Sequence, residues 1–133
     1  VPLHERKCEA CKGRGGDPVA MNEEEVAQHM ALLCPSWQRT SDGLKIFRTF
    51  NAKNFMSAID YINKIATLAE QEGHHPDLAV TGWNTVTVTM WTHSIKGLDI
   101  NDFIVAAKSD RIPVVYSKKW ITEHSNVTAG LGA

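Results

Sequence analysis

Two adjacent histidines, His74 and His75, precede a proline, and a third histidine, His93, follows a run of alternating residues. Imidazole is the side chain whose unperturbed pKa, about 6.5, allows it to give or take a proton near neutral pH. Neighbouring side chains in an extended segment diverge, so we expect His74 and His75 to have different tasks. A single histidine is usually an ordinary surface residue. Three of them with a carboxylate and two tryptophans nearby leave general acid–base catalysis and idle surface histidines as equal alternatives.

Zinc binding is an alternative interpretation of the same residues, because three histidines and a carboxylate can hold that ion. Adjacent histidines rarely chelate one ion, however, and the chain has no His-Glu-x-x-His motif. A second candidate is Cys8-x-x-Cys11, which with His4 and Cys34 could form a zinc knuckle. A lone Cys-x-x-Cys pair is weak evidence for a metal. The odd count of three cysteines argues against a disulfide framework.

Two helices are predicted before the histidine pair. The first covers residues 22–33; Asn22 is a favourable N-cap, and three glutamates follow it at the positive end of the helix dipole. The second begins after Asn51 and ends at Gly73, a residue typical of helix C-termini. Its apolar stripe consists of Phe55, Ile59, Ile62, Ile65 or Ala66, and Leu68 or Ala69.

A third helix is predicted over residues 100–108, with Asp99 as its N-cap and Asp102 three residues later as the capping-box partner. Four strands are predicted as well. In the last strand, Val86, Val88 and Met90 face one side, and the threonines, Trp91 and His93 face the other. The predicted strands cover residues 37–40, 44–50, 78–81 and 85–93.

The elements follow the order α-β-β-α-β-β-α, which predicts an α+β fold with a four-stranded antiparallel sheet and three helices packed on one face. We expect residues 1–20 to be a flexible N-terminal leader because they are rich in glycine and charge. Residues 21–112 are expected to form the domain. Residues 113–133 have no strong pattern and are expected to form a partly disordered tail.

The chemistry-bearing residues resemble the signature of the pterin-4a-carbinolamine dehydratases. That signature runs from an acidic residue to His-His-Pro, then to an aromatic residue, a further histidine and a later aspartate. The blocks EGHHPDL, GWN, WTH and NDFI are similar to those of plant-type members. Some members carry an arginine before the aspartate, where this chain has Asn101. The residues that meet the signature are Glu70, His74, His75, Pro76, Trp83, His93 and Asp102.

The resemblance implies dehydration of a 4a-hydroxytetrahydropterin to a quinonoid dihydropterin, a hydro-lyase reaction without a metal or redox cofactor. It implies that His74 and His93 transfer protons and that His75 packs against the pterin ring. Glu70 is expected to orient or tune one of the histidines electrostatically. Which histidine acts as the acid stays open.

Four further residues have expected roles in supporting the site or the fold. Asp102 is first expected to complete a capping box, with a contribution to the site as a second possibility. Asp77 and Pro76 lie at the edge of the site, where Asp77 could touch substrate. Trp83 could line the site, but filling a core at the corner of the sheet is an equal alternative.

The implied partners are a reduced pterin substrate and an aromatic amino acid hydroxylase that shares the same recycling pathway. The resemblance also implies a homodimer or homotetramer. A rival hypothesis is a non-catalytic dimerisation or assembly cofactor on the same fold. Such relatives keep the fold while losing site residues, so the three histidines of this chain favour catalysis. A zinc hydrolase is a third hypothesis.

The charge balance excludes one class of partner. The formal net charge is −1 and the isoelectric point is about 6.6. No basic excess is present to hold a phosphate backbone, so nucleic-acid binding is not expected. The chain has no apolar run of transmembrane length, so no membrane insertion is expected. We expect a cytoplasmic location, or a mitochondrial or plastid one if a transit segment precedes Val1.

Overall fold

A computed structural model describes residues 2–8 and 19–124 of the chain. Short 3₁₀ helices occupy Leu3–Glu5 and His93–Ile95. The helices are α1 (Glu23–Met30), α2 (Phe55–Glu72), α3 (Ile100–Ser109) and α4 (Lys118–Glu123), and the strands are β1 (Gln38–Arg39), β2 (Ile46–Asn51), β3 (Asp77–Thr81) and β4 (Thr85–Met90).

The strands form one antiparallel sheet in the order β1-β2-β4-β3. Alternation along β4 buries Val86, Val88 and Met90 completely and leaves the intervening threonines partly exposed, as predicted. On β2 the buried face consists of Ile46, Arg48 and Phe50. The α+β fold with its four-stranded antiparallel sheet is therefore confirmed.

The predicted N-cap of α2 was wrong by three residues. Asn54 caps this helix by accepting a hydrogen bond from the Ser57 backbone N–H, whereas Asn51 is the last residue of β2. The buried stripe is also shifted from the predicted one. Phe55 is 51% exposed because it lies at the open first turn of the helix. The fully buried positions are Ala58, Tyr61, Ile65 and Ala69.

The strand boundaries differ from the prediction at the site end of the sheet. β4 ends at Met90, three residues before His93. Thr92 and Gly97 form an isolated antiparallel bridge that closes a tight loop around the 3₁₀ helix. His93 therefore lies in a loop beyond the sheet, because the Thr92–Gly97 bridge turns the chain away before the strand reaches its predicted end at residue 93.

Both ends of the chain extend the core beyond the predicted domain. The sequence predicted three helices, and the structure adds α4, whose Trp120 is 7% exposed. Tyr116 bridges Ala52 at the end of β2, and Leu3 is buried in the same core. These contacts correct the expectation of a loose leader and tail for residues 2–8 and 113–124. Residues 1, 9–18 and 125–133 lie outside the described part of the chain.

None of the described helices has the length and apolar character that crossing a membrane requires.

Candidate active site

The end of α2 fixes the backbone of His74. Gly73 adopts a left-handed conformation with φ of 64°, which glycine tolerates because it has no side chain. The His74 N–H reaches the Ala69 carbonyl and the Gly73 N–H reaches the Glu70 carbonyl, each at 3.3 Å. These two bonds form a Schellman motif, the usual way to end a helix at a glycine. His74 is thus held next to the last turn of α2.

The His74 side chain contacts a buried carboxylate. Its Nε2 lies 2.7 Å from Oδ1 of Asp102, which has no exposed surface. The other oxygen of Asp102 accepts hydrogen bonds from the Thr92 hydroxyl at 2.8 Å and from the Asp99 backbone N–H at 3.0 Å. A carboxylate with these donors only accepts, so His74 donates its Nε2–H. The Nδ1 atom of His74 is then the nitrogen that can take up a proton.

Asp102 therefore fills both roles that the sequence left open. It completes the capping box of α3 with Asp99, as predicted. It also orients a histidine ring, an arrangement known from catalytic triads in which a buried aspartate selects the tautomer of a histidine. The capping box explains how the carboxylate stays in place before any substrate binds.

His75 points to a different carboxylate at the surface. Its Nε2 lies 2.7 Å from Oε1 of Glu70, one turn back on α2. The two side chains are 60% and 78% exposed. A contact this exposed contributes at most about 1 kcal/mol even between two charged groups, so this hydrogen bond orients the ring more than it stabilises the fold. The two adjacent histidines thus have different carboxylate partners.

His93 contacts aromatic and cationic side chains. Its ring centroid lies 3.9 Å from that of Trp91, at an interplanar angle of 50°. The Lys45 Nζ atom lies 4.3 Å from the centroid of the Trp91 ring. Trp91 therefore contacts both the imidazole and the ammonium group, and its contact with the imidazole limits the orientations of the His93 ring.

The β3–β4 hairpin explains why the histidines gather at one end of the molecule. Asp77, the first residue of β3, pairs with Thr89 near the end of β4. His74 and His75 precede that pair, and His93 follows it. The Thr92 hydroxyl also bonds the same Asp102 carboxylate as His74. The Thr92 side chain, next to His93 in the sequence, is therefore joined to the His74 ring by two hydrogen bonds through Asp102.

Trp83 is the predicted residue that the structure does not bring to this end. It lies in the turn between β3 and β4, with φ of 63° and 62% of its surface exposed. The length of the hairpin separates it from the histidines, at about 3.4 Å of rise per residue. Within a single chain, Trp83 therefore neither lines the histidine site nor fills the core, which were its two expected roles. Asp77 is exposed and Pro76 is half-buried, both beside His75.

Metal ligation has little support in the described residues. Within residues 2–8 and 19–124, no group of three or more histidine, cysteine or acidic side chains is arranged to hold an ion. Cys8 contacts Glu72 and the Asn101 carbonyl, and neither contact brings it to another cysteine or a histidine. Cys11, the other half of the zinc-knuckle hypothesis, lies outside the described residues.

A cleft of about 410 Å³ lies beside β1, β2 and α4. None of the predicted site residues lines it, so it is separate from the histidine cluster. Its lining residues are Pro35, Ser36, Gln38, Thr49, Asn51, Trp120, Glu123 and His124.

Comparison with known proteins decides the family. The model of the family described as pterin 4 alpha carbinolamine dehydratase matches residues 19–112. This chain belongs to the pterin-4a-carbinolamine dehydratase family. A protein of Syntrophotalea carbinolica that carries the pterin-4-alpha-carbinolamine dehydratase name is 46% identical over 112 residues, which cover 83% of this chain and 96% of that protein.

Two further members of the pterin-4a-carbinolamine dehydratase family are similar. The mitochondrial pterin-4-alpha-carbinolamine dehydratase 2 of Arabidopsis thaliana is 40% identical over 84% of this chain, which spans 59% of that protein's length. A solved structure from Brucella melitensis, described as a transcriptional coactivator/pterin dehydratase, is 31% identical with a TM-score of 0.62. It covers 68% of this chain and 94% of its own. The similarity to the Arabidopsis protein gives loose support to the plant-type subgroup that the sequence motifs predicted.

The sequence did not reveal several buried polar contacts, some of them next to the candidate site. Thr92 stood next to His93 in a threonine-rich strand, where nothing distinguished its hydroxyl from the others. Glu72 and Cys8 form a contact across 64 residues, for which the sequence carries no local signal. Arg48 is a fully buried cation on the same face of β2 as Ile46 and Phe50, where the alternation predicts an apolar side chain.

Proposed function

We propose that this protein is a hydro-lyase that dehydrates a 4a-hydroxytetrahydropterin to a quinonoid dihydropterin by histidine acid–base catalysis. Membership of the pterin-4a-carbinolamine dehydratase family supports the type of reaction. The observation that carries the assignment of residues is the buried Asp102 carboxylate bonded to His74 and to the residue before His93.

The reaction needs two proton transfers. The substrate carries a hydroxyl on C4a, next to the N–H at N5. A general acid protonates the hydroxyl, the C4a–O bond breaks, and water leaves. A general base takes the N5 proton, and the electron pair of that bond forms the C4a=N5 double bond. No electrons are gained or lost, so no redox cofactor is needed. Each acid or base is typically worth about 10²–10⁴-fold in rate.

His74 and His93 are the residues proposed for these transfers. Asp102 holds the Nε2–H of His74, so Nδ1 exchanges the proton with the substrate. His75, oriented by Glu70, packs against the pterin ring. Asp77 and Pro76 border the same space beside His75.

The proposal also covers the domain bounds, the metabolic partner, the oligomeric state and the location of the protein. The domain proposed for the activity is residues 21–112, with residues 2–8 and 113–124 packed against it. An aromatic amino acid hydroxylase is the proposed source of the hydroxylated pterin, and the assembly is a homodimer or homotetramer. The proposed location is the cytoplasm or, as the name of the Arabidopsis relative states for that protein, the mitochondrion.

A second candidate function is a non-catalytic dimerisation or assembly cofactor. The description of the Brucella melitensis protein, which combines a coactivator with a dehydratase, favours keeping this candidate. The two candidates differ in one measurable property, because only a catalyst shortens the lifetime of the hydroxylated pterin.

Stopped-flow dehydration of a freshly generated 4a-hydroxytetrahydropterin tests the proposal. We expect His74→Ala and His93→Ala each to lower the catalysed rate by about 10²–10⁴-fold. The matched control is His29→Ala, because His29 belongs to α1 and contacts Phe103 instead of the site. An inactive wild-type protein, or full activity after replacing all three site histidines, would show that the proposed catalysis is wrong.

A further inference from the structure

We propose that Cys8 is a positioning residue that holds His74 in its hydrogen bond with Asp102. The inference rests on the proposed function, and it concerns residues 2–8, which precede the region matched by the family model. The same segment was expected from the sequence to be a flexible leader.

Cys8 joins the two stretches of chain that carry the buried pair. Its backbone N–H donates to Oε1 of Glu72 at 2.9 Å, and its thiol lies 3.7 Å from the Asn101 carbonyl. Glu72 is the last residue of α2, two positions before His74. Asn101 is the residue before Asp102 in the first turn of α3. One residue therefore bridges the flanks of both members of the pair.

Glu72 extends the connection to the other end of α3. Its Oε2 accepts a hydrogen bond from the Lys108 Nζ at 3.0 Å, and the two side chains are only 10% and 17% exposed. Burial opposes the charge of Glu72, but the Cys8 N–H and Lys108 outweigh it and lower the pKa of this carboxyl. Leu3, buried against the core, anchors the segment that presents Cys8.

The protonation state of Cys8 agrees with this geometry. Burial first, and then the charge of Glu72, raise the pKa of the thiol to about 12, with Asp102 adding to the effect. The group is thus a neutral S–H near pH 7 and can donate to the Asn101 carbonyl. A thiolate would lack that donor and would be repelled by both carboxylates.

The contact matters for catalysis because His74 and Asp102 belong to separate helix ends. A shift of the α2 end relative to α3 lengthens the Nε2–Oδ1 distance and frees the imidazole to change tautomer. Misplacement by about 1 Å can cost roughly 10²-fold in rate. Cys8 and Glu72 oppose that shift from outside the site, without touching the substrate.

The test compares three variants of the full chain. Cys8→Ala removes only the thiol, and Cys8→Pro also removes the N–H that Glu72 accepts. The matched control is Cys34→Ala, because Cys34 is a half-buried cysteine that lies beside Ser36 and Asp110 instead of His74. The measurements are kcat, KM, and the solvent exchange of the His74 ring N–H proton by NMR, which needs no turnover.

We expect kcat to fall about threefold in Cys8→Ala and about tenfold in Cys8→Pro, with KM changed less than about twofold. The His74 ring proton should exchange faster in the same order, and Cys34→Ala should resemble the wild type. Unchanged exchange and kcat in Cys8→Pro, or an equal loss in Cys34→Ala, would overturn the inference. If the wild type does not dehydrate the pterin, the proposed function fails, while the exchange rates still decide the role of Cys8.

Discussion

Asp102 is the residue on which the local geometry of the site depends. It has no exposed surface and accepts hydrogen bonds from His74, Thr92 and the Asp99 backbone. Burying a carboxylate is costly unless its oxygens are fully hydrogen-bonded. These three donors meet that requirement, so the carboxylate can present one fixed oxygen to the imidazole.

We expect Asp102→Asn to lower kcat by about 10²–10⁴-fold while the chain stays folded. The amide oxygen of the new residue can still accept from Thr92 and Asp99, so its NH₂ group must face His74. That group donates to Nε2 and moves the ring proton to Nδ1, the wrong tautomer for a base. Steady-state kinetics and an unfolding curve measure the two effects.

Asp60→Asn is the control for this substitution, because Asp60 is an exposed carboxylate on α2. Equal activity losses in the two variants would point to net charge as the cause instead of the tautomer. A fully active Asp102→Asn protein would remove the basis for the role of Nε2.

At the scale of secondary structure, α4 packs against β2 although it lies beyond the matched family region. Trp120 stacks on Tyr116 with centroids 4.8 Å apart and meets the edge of Phe50 at 6.4 Å. The Ser117 hydroxyl caps the helix by accepting from the Trp120 N–H. These contacts make the helix part of the core of the domain.

Trp120→Ala is expected to lower the free energy of unfolding by about 3–5 kcal/mol, because it leaves a cavity between stacked rings. Urea denaturation followed by circular dichroism measures this change. Ile121→Ala, on the exposed side of the same helix, should change stability by less than about 1 kcal/mol. Similar losses in both variants would mean that α4 contributes through its helical structure alone and not through the ring stack.

At the scale of the whole molecule, residues from both ends of the chain complete a core built around the sheet. Leu3 and Tyr116 both belong to it. Arg48 is buried inside it, donating to the Tyr116 hydroxyl at 2.8 Å and contacting Asp110 at 3.4 Å. The ends of the described chain are therefore coupled to the fold by polar as well as apolar contacts.

We expect stability to fall more steeply with rising pH in the wild type than in Cys8→Ser. The ordinary pKa of a thiol is 9.0, and the folded chain raises that of Cys8 to about 12. Between these values the unfolded chain loses a proton that the folded chain keeps, so unfolding becomes more favourable. The groups facing the thiol are Glu72, Lys108 and Asp102.

Urea denaturation at a series of pH values from about 8 to 11 measures this difference. Burial raises the pKa of Tyr61 and Tyr116 as well, but both tyrosines are present in the two proteins and their contribution cancels. Parallel curves for wild type and Cys8→Ser would mean that the thiol is not held by the fold.

The sequence by itself determined the features that depend on neighbours along the chain. The alternation in β4 predicted its buried face, because a strand turns every second side chain to the same side. Gly73 and Asp99 predicted the end of one helix and the start of another, because caps are hydrogen bonds within a few residues. The order of the histidines predicted the family.

Only the tertiary structure decided which side chains meet. His74 and Asp102 are 28 residues apart, and Cys8 and Glu72 are 64 apart. Such contacts follow from how helices dock on the sheet, a property that no local pattern carries. The same docking left Trp83 at the far end of the hairpin and buried Trp120. Periodicity and caps depend on residues a few positions apart, whereas the geometry of the candidate site depends on how the whole core packs.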